Sequence, residues 1–295
     1  LLAAAVWLSF ATCMGWPVST THSIVGALVG FVVVAAGVEA VKWDKVGAIV
    51  ASWVTSPLTA GLTAFVLFHA LRRTVIAVED PFERTRRAAP FLVFLTTIVL
   101  TLVTLSKGLK HLDLDLSRGE TTLIAVGLSA LSAGISIPLI RRIKPNPEAE
   151  AKDRFHRTER VFAILQVYTA CAVAFAHGSN DVANAIGPMA AAVSVIQSGV
   201  VGAKAAVPVW MLLVGGVGIV VGLSTYGWRV METIGTRITH LTPSRGYTAE
   251  FAAALTIVVA SQLGMPISTT HTLVGGVLGV SLARGLAATN FGMLG

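Results

Sequence analysis

The sequence predicts an all-α integral membrane protein, a multi-span helical bundle that carries an internal duplication. Mean hydropathy is +0.77 and 54% of residues are hydrophobic. Only 13% are charged, against about 25% in soluble domains, so the chain lacks the polar surface to coat a soluble globule. The third observation is a repeat. Gly15-Trp16-Pro17-Val18-Ser19-Thr20-Thr21-His22 recurs as Gly264-Met265-Pro266-Ile267-Ser268-Thr269-Thr270-His271, 249 positions on. Each copy lies in strongly apolar sequence and leads into a Val/Gly-rich helical pattern. A polar cluster repeated in that setting indicates two halves that build one polar site.

A full bilayer span needs about 20 residues. Apolar runs that cross or partly cross a membrane fall near 1–14, 18–38, 46–70, 90–106, 121–140, 161–176, 183–201, 207–227, 250–263 and 267–285. Several contain Gly or Pro, which membrane helices tolerate when neighbours satisfy the freed backbone groups. The stretch 183–201 reads equally as a full span or a re-entrant piece.

The formal charge is +7, and its placement gives it meaning. Arg72, Arg73, Arg84, Arg86 and Arg87 cluster between two apolar runs, as do Arg141, Arg142, Lys144, Lys152, Arg154, Arg157 and Arg160. The intervening loop, Lys107 to Glu120, is balanced by Asp113, Asp115 and Glu120. Basic, balanced, basic places loops 72–89 and 141–160 in the cytoplasm. The charge is an orientation signal, not a nucleic-acid-binding surface. Cys13 and Cys171 lie in apolar stretches without metal-ligand spacing and read as small packed residues. No signal peptide pattern is present. The chain opens on Leu1 inside an apolar run, which reads as a missing start.

The densest polar cluster is Phe175-Ala176-His177-Gly178-Ser179-Asn180-Asp181-Val182-Ala183-Asn184-Ala185-Ile186-Gly187-Pro188. An ionised Asp at the centre of a membrane helix costs about 2.5–3.5 kcal/mol, so such a residue is a functional candidate by default. On a helix, His177 and Asp181 are i,i+4 neighbours, as are Asn180 and Asn184, while Asp181 and Asn184 are i,i+3. Gly178 and Gly187-Pro188 predict helix breaks that free backbone carbonyls. Carboxylate, amide oxygens and free carbonyls would then cage a hard cation such as Na⁺. The competing reading is a set of interhelical hydrogen bonds. His177 reads either as proton-active or as satisfied by a carbonyl.

Pro17 and Pro266 disfavour helix just before them, which leaves Ser19 and Ser268 as N-caps. Helix starts of this kind present free N–H groups and the positive dipole end, and Ser and Thr hydroxyls add donors. That makes an oxyanion site without Lys or Arg. The competing reading has each hydroxyl bonded back to a carbonyl of its own helix. A serine hydrolase is disfavoured. Ser19 and His22 are too close in sequence for a nucleophile–base pair, and no Gly-x-Ser-x-Gly elbow is present. His22 and His271 are left to orient the hydroxyls.

These residues resemble the inorganic phosphate transporter (PiT) family, cation-coupled phosphate symporters built from two inverted repeats with broken or re-entrant helices. The family's Gly-[Ala/Ser]-Asn-Asp motif is matched by Gly178 to Ala185, and its Pro-x-Ser-[Thr/Ser]-[Thr/Ser]-His motif by Pro17–His22 and Pro266–His271. The resemblance extends to Trp228–Tyr247 and to most of the order of elements. It implies that Asp181, Asn180 and Asn184 serve the cation and phosphate site. It implies that Ser19, Thr20, Thr21, Ser268, Thr269 and Thr270 bind phosphate. No cofactor is called for beyond a coupling cation, Na⁺ or H⁺. The implied partners are inorganic phosphate, that cation and the lipid bilayer of a cell membrane; a homodimer is left open. Sulfate is the competing substrate, and a phosphate-binding receptor or sensor the competing class.

The division expected is a first repeat with its following helices at 1–140, the basic loop at 141–160 and a second repeat at 161–295. The first repeat departs from the family in having no Asn-Asp motif. Asn180 precedes Ser268 by 88 residues, and the same spacing ahead of Ser19 falls before Leu1. The helix predicted near Gly47 begins 25 residues after His22, and that offset from His271 falls just past Gly295. Both ends therefore read as truncated.

Overall fold

Ten α-helices, joined in places by short 3-10 or π turns, form all the regular structure among the described residues of the computed structural model. Those residues are 1–105, 117–143, 151–199, 207–238, 241–263, 265 and 267–285. The helices are α1 Leu2–Cys13, α2 Thr20–Ala36, α3 Trp43–Leu71, α4 Pro81–Val103, α5 Arg118–Arg141, α6 Ala151–Ser198, α7 Val209–Gly222, α8 Trp228–Glu232, α9 Pro243–Gln262 and α10 Thr269–Leu282. Five continuous helical stretches are long and apolar enough to cross a membrane: Trp43–Ile76, Pro81–Leu102, Gly119–Arg141, Phe155–Ser198 and Val209–Thr236. Their outer faces carry exposed Leu62, Leu123, Ile164 and Val217, an apolar surface suited to lipid rather than water.

Local chemistry sets where helices start. Asp80 accepts from the Glu83 N–H at 3.2 Å, with Pro81 in the first turn of α4. Ser117 and Glu120 form a reciprocal capping box at α5. At α9, Thr242 gives no side-chain cap. The Glu159 carboxylate of α6 takes its place, accepting from the Ser244 N–H at 2.8 Å and the Ser244 hydroxyl at 2.7 Å.

Directions follow from shared ends. Arg72 just beyond α3, Arg245 in the first turn of α9 and Arg284 just past α10 line one cavity. Hence α9 and α10 enter and leave at the same end of the bundle, the end where α3 finishes. They form a helical hairpin over the two runs expected at 250–263 and 267–285, with α9 starting earlier, at Pro243. By contrast, α2 runs toward the opposite end, where residues 37–42 connect it to the start of α3. Therefore α2 and α10, the helices that follow the two motif copies, point in opposite directions.

α10 is wedged between α3 and α9 by small residues. Ser52, Ser56, Ala60 and Ala64 form a buried stripe on α3 at four-residue steps. A Cβ on Gly275 would strike the Pro57 backbone, one on Gly279 the Gly61 backbone, and one on Gly276 the Ala249 carbonyl. Such close approach is how membrane helices gain dispersion contact without a hydrophobic driving force. Gly26 and Gly30 occupy the same register of α2, yet among the described residues nothing lies within 4 Å of a Cβ built on either.

Two sequence expectations are corrected. α6 is one helix of 48 residues, about 72 Å at 1.5 Å per residue; it does not break at Gly178 or Gly187-Pro188, and 161–176 and 183–201 are not separate spans. Pro188 removes a single hydrogen bond, the one to the Asn184 carbonyl. Val182, Ile186, Met189, Ala190 and Val193 pack around Met211 of α7 on both sides of that point, so packing continues through it. The loops are also shorter than expected. Residues 81–89 belong to α4, and 151–160 to α6. Residues 106–116, 144–150 and 286–295, with Gly264 and Pro266, lie outside the described residues, so Asp113, Asp115 and Lys144 do too.

Gly279→Ala is expected to lower stability by about 1–3 kcal/mol, because the added methyl meets backbone rather than a side chain. Gly127→Ala, in open space on α5, should change it by less than about 1 kcal/mol. Thermal unfolding of the purified protein in detergent measures both.

Candidate functional site

Each motif copy starts its helix as a capped N-terminus. Ser19 is extended and accepts from the His22 N–H at 3.2 Å. Ser268 is extended and accepts from the His271 N–H at 3.1 Å. Gly15 turns the chain out of α1 at φ +72°, against the Arg229 carbonyl, a conformation that favours glycine. Arg229 in turn donates to the Cys13 carbonyl at 2.6 Å.

Both helix starts converge on Asp181, whose side chain is 8% exposed. Thr20 Oγ1 donates to it at 2.7 Å, and Thr269 Oγ1 reaches both carboxylate oxygens at 3.2 Å. His177 Nε2 lies 2.8 Å away. Asn180 and Asn184 direct amide N–H groups at Oδ1 from 3.3 and 3.4 Å. Asn184 also donates to Thr21 Oγ1 at 3.0 Å, and Thr21 donates across to the Ile267 carbonyl at 3.2 Å. Thr20 and Thr269 are equivalent positions of the repeat and make equivalent bonds to one carboxylate.

The hydroxyls divide between the two readings left open by the sequence. Ser23 and Thr272 bond back to the carbonyls of Ser19 and Ser268 in their own helices. Thr20, Thr21 and Thr269 instead bond to other segments. Magnitudes favour this as a held carboxylate. Hydrogen bonds to a charged group contribute about 1.5–3 kcal/mol each, so the two threonines offset an insertion cost of about 2.5–3.5 kcal/mol. Thr270 is half-buried in the first turn of α10 and makes no hydrogen bond to Asp181. The expected cage of freed carbonyls is absent at Asp181, because α6 is unbroken there.

The histidines form a second layer. The His22 and His271 rings meet edge-on at 4.5 Å, and His22 lies against Trp53 of α3 at 3.6 Å. His22 Nε2, Trp53 Nε1 and Ser56 Oγ are buried with no hydrogen-bond partner among the described residues. Trp53 and Ser56 were not singled out in the sequence, where a Trp in an apolar run signals packing or an interface. Glu250 was also missed. It lies between α9 and α6, accepting from Thr169 Oγ1 at 2.6 Å and Gln166 Nε2 at 3.4 Å. Thr169 is 12 residues before Asp181 on α6, about 18 Å along the helix, so Glu250 belongs to a separate polar contact.

Opposed helix starts around a polar centre, in a bundle of spanning helices, define the class: a secondary-transporter architecture in an integral membrane protein. The chain belongs to the phosphate transporter family, which it matches along residues 1–295. It is similar to a protein of Haemophilus influenzae named as a phosphate permease, 46% identical over 291 residues that cover 98% of this chain and 69% of that protein. An Arabidopsis thaliana protein, the chloroplastic inorganic phosphate transporter 2-1, is 41% identical over 97% of this chain and 52% of its own length. A solved structure described as the sodium-dependent phosphate transporter superposes with a TM-score of 0.87 and 42% identity, covering 99% of this chain and 71% of that one.

Ser19→Ala and Ser268→Ala should each cost about 1 kcal/mol by loss of a cap, whereas Ser23→Ala should cost less, since its hydroxyl only doubles an existing helix bond. Unfolding followed by tryptophan fluorescence in detergent tests the difference.

Proposed function

We propose that this protein carries inorganic phosphate across the membrane together with a cation, Na⁺ or H⁺. One observation carries the reading: the first-turn threonines of both motif copies donate into the same carboxylate, that of Asp181. Family membership supports the substrate, and the similar solved structure is described as sodium-dependent.

The chemistry follows from what a hydroxyl can do. Each threonine has one proton to donate and lone pairs to accept with. While Asp181 is ionised with no cation or proton on it, Thr20 and Thr269 direct their protons to it. The carboxylate also repels a second anion, by several kcal/mol at low dielectric before screening. A Na⁺ at Asp181, with the amide oxygens of Asn180 and Asn184 turned toward it, or a proton on the carboxylate, removes that repulsion. The hydroxyl oxygens then face the cation and their protons turn outward to an oxyanion. Ser19, Thr20, Thr21, Ser268, Thr269 and Thr270, with the N–H groups of both helix starts, are the phosphate donors in this reading. His177 positions the carboxylate, and His22 and His271 buttress the two helix starts. Phosphate therefore binds well only after the cation, which is symport. Alternating access then follows from rocking of the two inverted repeats about this centre, with α10 and α3 moving as one packed unit. The basic end, with Arg72 to Arg87 and Arg141 to Arg160, faces the cytoplasm.

Reconstituted protein should accumulate labelled phosphate under an imposed Na⁺ or pH gradient, and whichever gradient drives uptake identifies the cation. Asp181→Asn is expected to cut cation-dependent uptake at least about tenfold, the effect of losing one charge-assisted contact. Unchanged uptake with unchanged cation dependence would remove Asp181 from the mechanism. Binding without accumulation would make the protein a sensor, and full competition by sulfate would make phosphate only one of its substrates.

A further inference from the structure

On the side of the two helix starts away from Asp181 lies a second group of polar atoms. Residues 20 and 22 stand about 200° apart around α2, at about 100° per residue. Thr20 therefore faces Asp181 on α6, while the His22 ring turns to α3 and lies against Trp53 at 3.6 Å. His271 of the other copy meets that ring edge-on at 4.5 Å. Gly275 lies on Pro57 and Gly279 on Gly61, and this register sets His271 level with Trp53. Trp53 and Ser56 are i,i+3 neighbours on one face of α3. Ser56 is 4% exposed. Its hydroxyl does not bond back to its own helix, as those of Ser52 and Thr59 do. Trp53 Nε1, Ser56 Oγ and His22 Nε2 are all buried and, among the described residues, none has a hydrogen-bond partner.

The chemistry of these atoms selects the ligand. An indole N–H only donates, a serine hydroxyl offers a second proton, and an imidazole nitrogen donates or accepts according to its tautomer. Such a set turns a metal cation away and calls for an acceptor. A buried donor left without one forfeits its hydration, and native interiors hold few of them. Here three unpartnered atoms lie beside the two helix starts. The ring stack closes them off from solvent, so a ligand that reaches them must part His22 from Trp53. A water would repay that with neutral bonds. An anion repays it with charge-assisted ones, roughly twice as strong. The threonine protons on the α6 side are directed at Asp181, whereas the donors on the α3 side have no acceptor.

We propose that Trp53 and Ser56 bind an oxygen of the transported oxyanion, which inserts between the His22 and Trp53 rings. That the anion is phosphate rests on the function proposed above. Trp53 Nε1 and Ser56 Oγ donate to the oxygen. His22 Nε2 closes the third side, donating to an ionised oxygen or accepting from a protonated one. α3 is then a wall of the substrate site as well as the support of α10.

Equilibrium dialysis with labelled phosphate, in Na⁺ buffer at pH 6 to supply both candidate cations, tests this, with labelled sulfate run in parallel. The purified protein is compared with Ser56→Ala, with Trp53→Phe, and with a protein carrying 3-benzothienylalanine at position 53, which keeps the ring size and has sulfur in place of the N–H. Each change is expected to weaken phosphate binding roughly tenfold, the loss of one charge-assisted bond. Ser56→Ala should melt no lower in detergent, because it removes a buried hydroxyl that has no partner. Phosphate should shift the tryptophan emission of the unaltered protein, and Trp53→Phe should lose that shift. Unchanged phosphate binding in Ser56→Ala and in the benzothienyl protein overturns the proposal and leaves phosphate as the substrate. Weaker binding by Ser56→Ala with a lowered melting temperature also overturns it, as a packing effect. Sulfate binding alone, weakened by the same changes, keeps this site and overturns phosphate as the substrate. Binding of neither anion by the unaltered protein overturns both.

Discussion

The carboxylate of Asp181 is what the two halves of the chain hold in common. A buried charge needs donors, and no single helix supplies enough of them in the right directions. α6 provides His177, Asn180 and Asn184 along its own face, and the remaining donors come from residues 20 and 269. The charge therefore fixes where the two motif copies must sit. Their helix starts bring positive dipole ends to the same point, which lowers the cost of the charge further. Once α2 and α10 both start there, they run in opposite directions, α2 toward the start of α3, to which it is joined, and α10 along α3 toward its end.

The sequence made the chemistry of this centre legible and left its mechanics largely unread. Ser-Thr-Thr-His after proline has a local meaning, a capped helix start, and local meaning survives folding: both caps are present. The i,i+4 relation of His177 to Asp181 is likewise a property of any helix. The continuity of α6 was not legible, because Gly178, Gly187 and Pro188 weaken a helix intrinsically while packing on α7 around Met211 holds it. The start of α9 was placed too late for a related reason. Its cap is Glu159, some 85 positions away, and a cap supplied by tertiary contact leaves no pattern in the neighbouring residues. Trp53 and Glu250 carried no signal at all, since one resembles packing and the other falls at the edge of an apolar run.

The duplication extends past the polar motif. Gly26 and Gly30 of α2 repeat the register of Gly275 and Gly279 of α10, and in α10 that pair lies against the backbone of α3. This close packing buries Thr272, Gly275, Gly276, Val277, Gly279, Val280 and Ser281 behind the Thr269 start. The repeat therefore carries both the capped helix start and a small-residue face behind it.

A change of charge at the centre reaches both copies. Thr20 and Thr269 each donate to Asp181, and Thr21 is joined to the centre at one remove through Asn184. Charge-assisted bonds contribute about 1.5–3 kcal/mol and neutral ones about 0.5–1.5 kcal/mol, so neutralising the carboxylate weakens each threonine's hold by on the order of 1 kcal/mol. A cation or proton at Asp181 therefore acts on the two helix starts together, because one carboxylate is the acceptor they share.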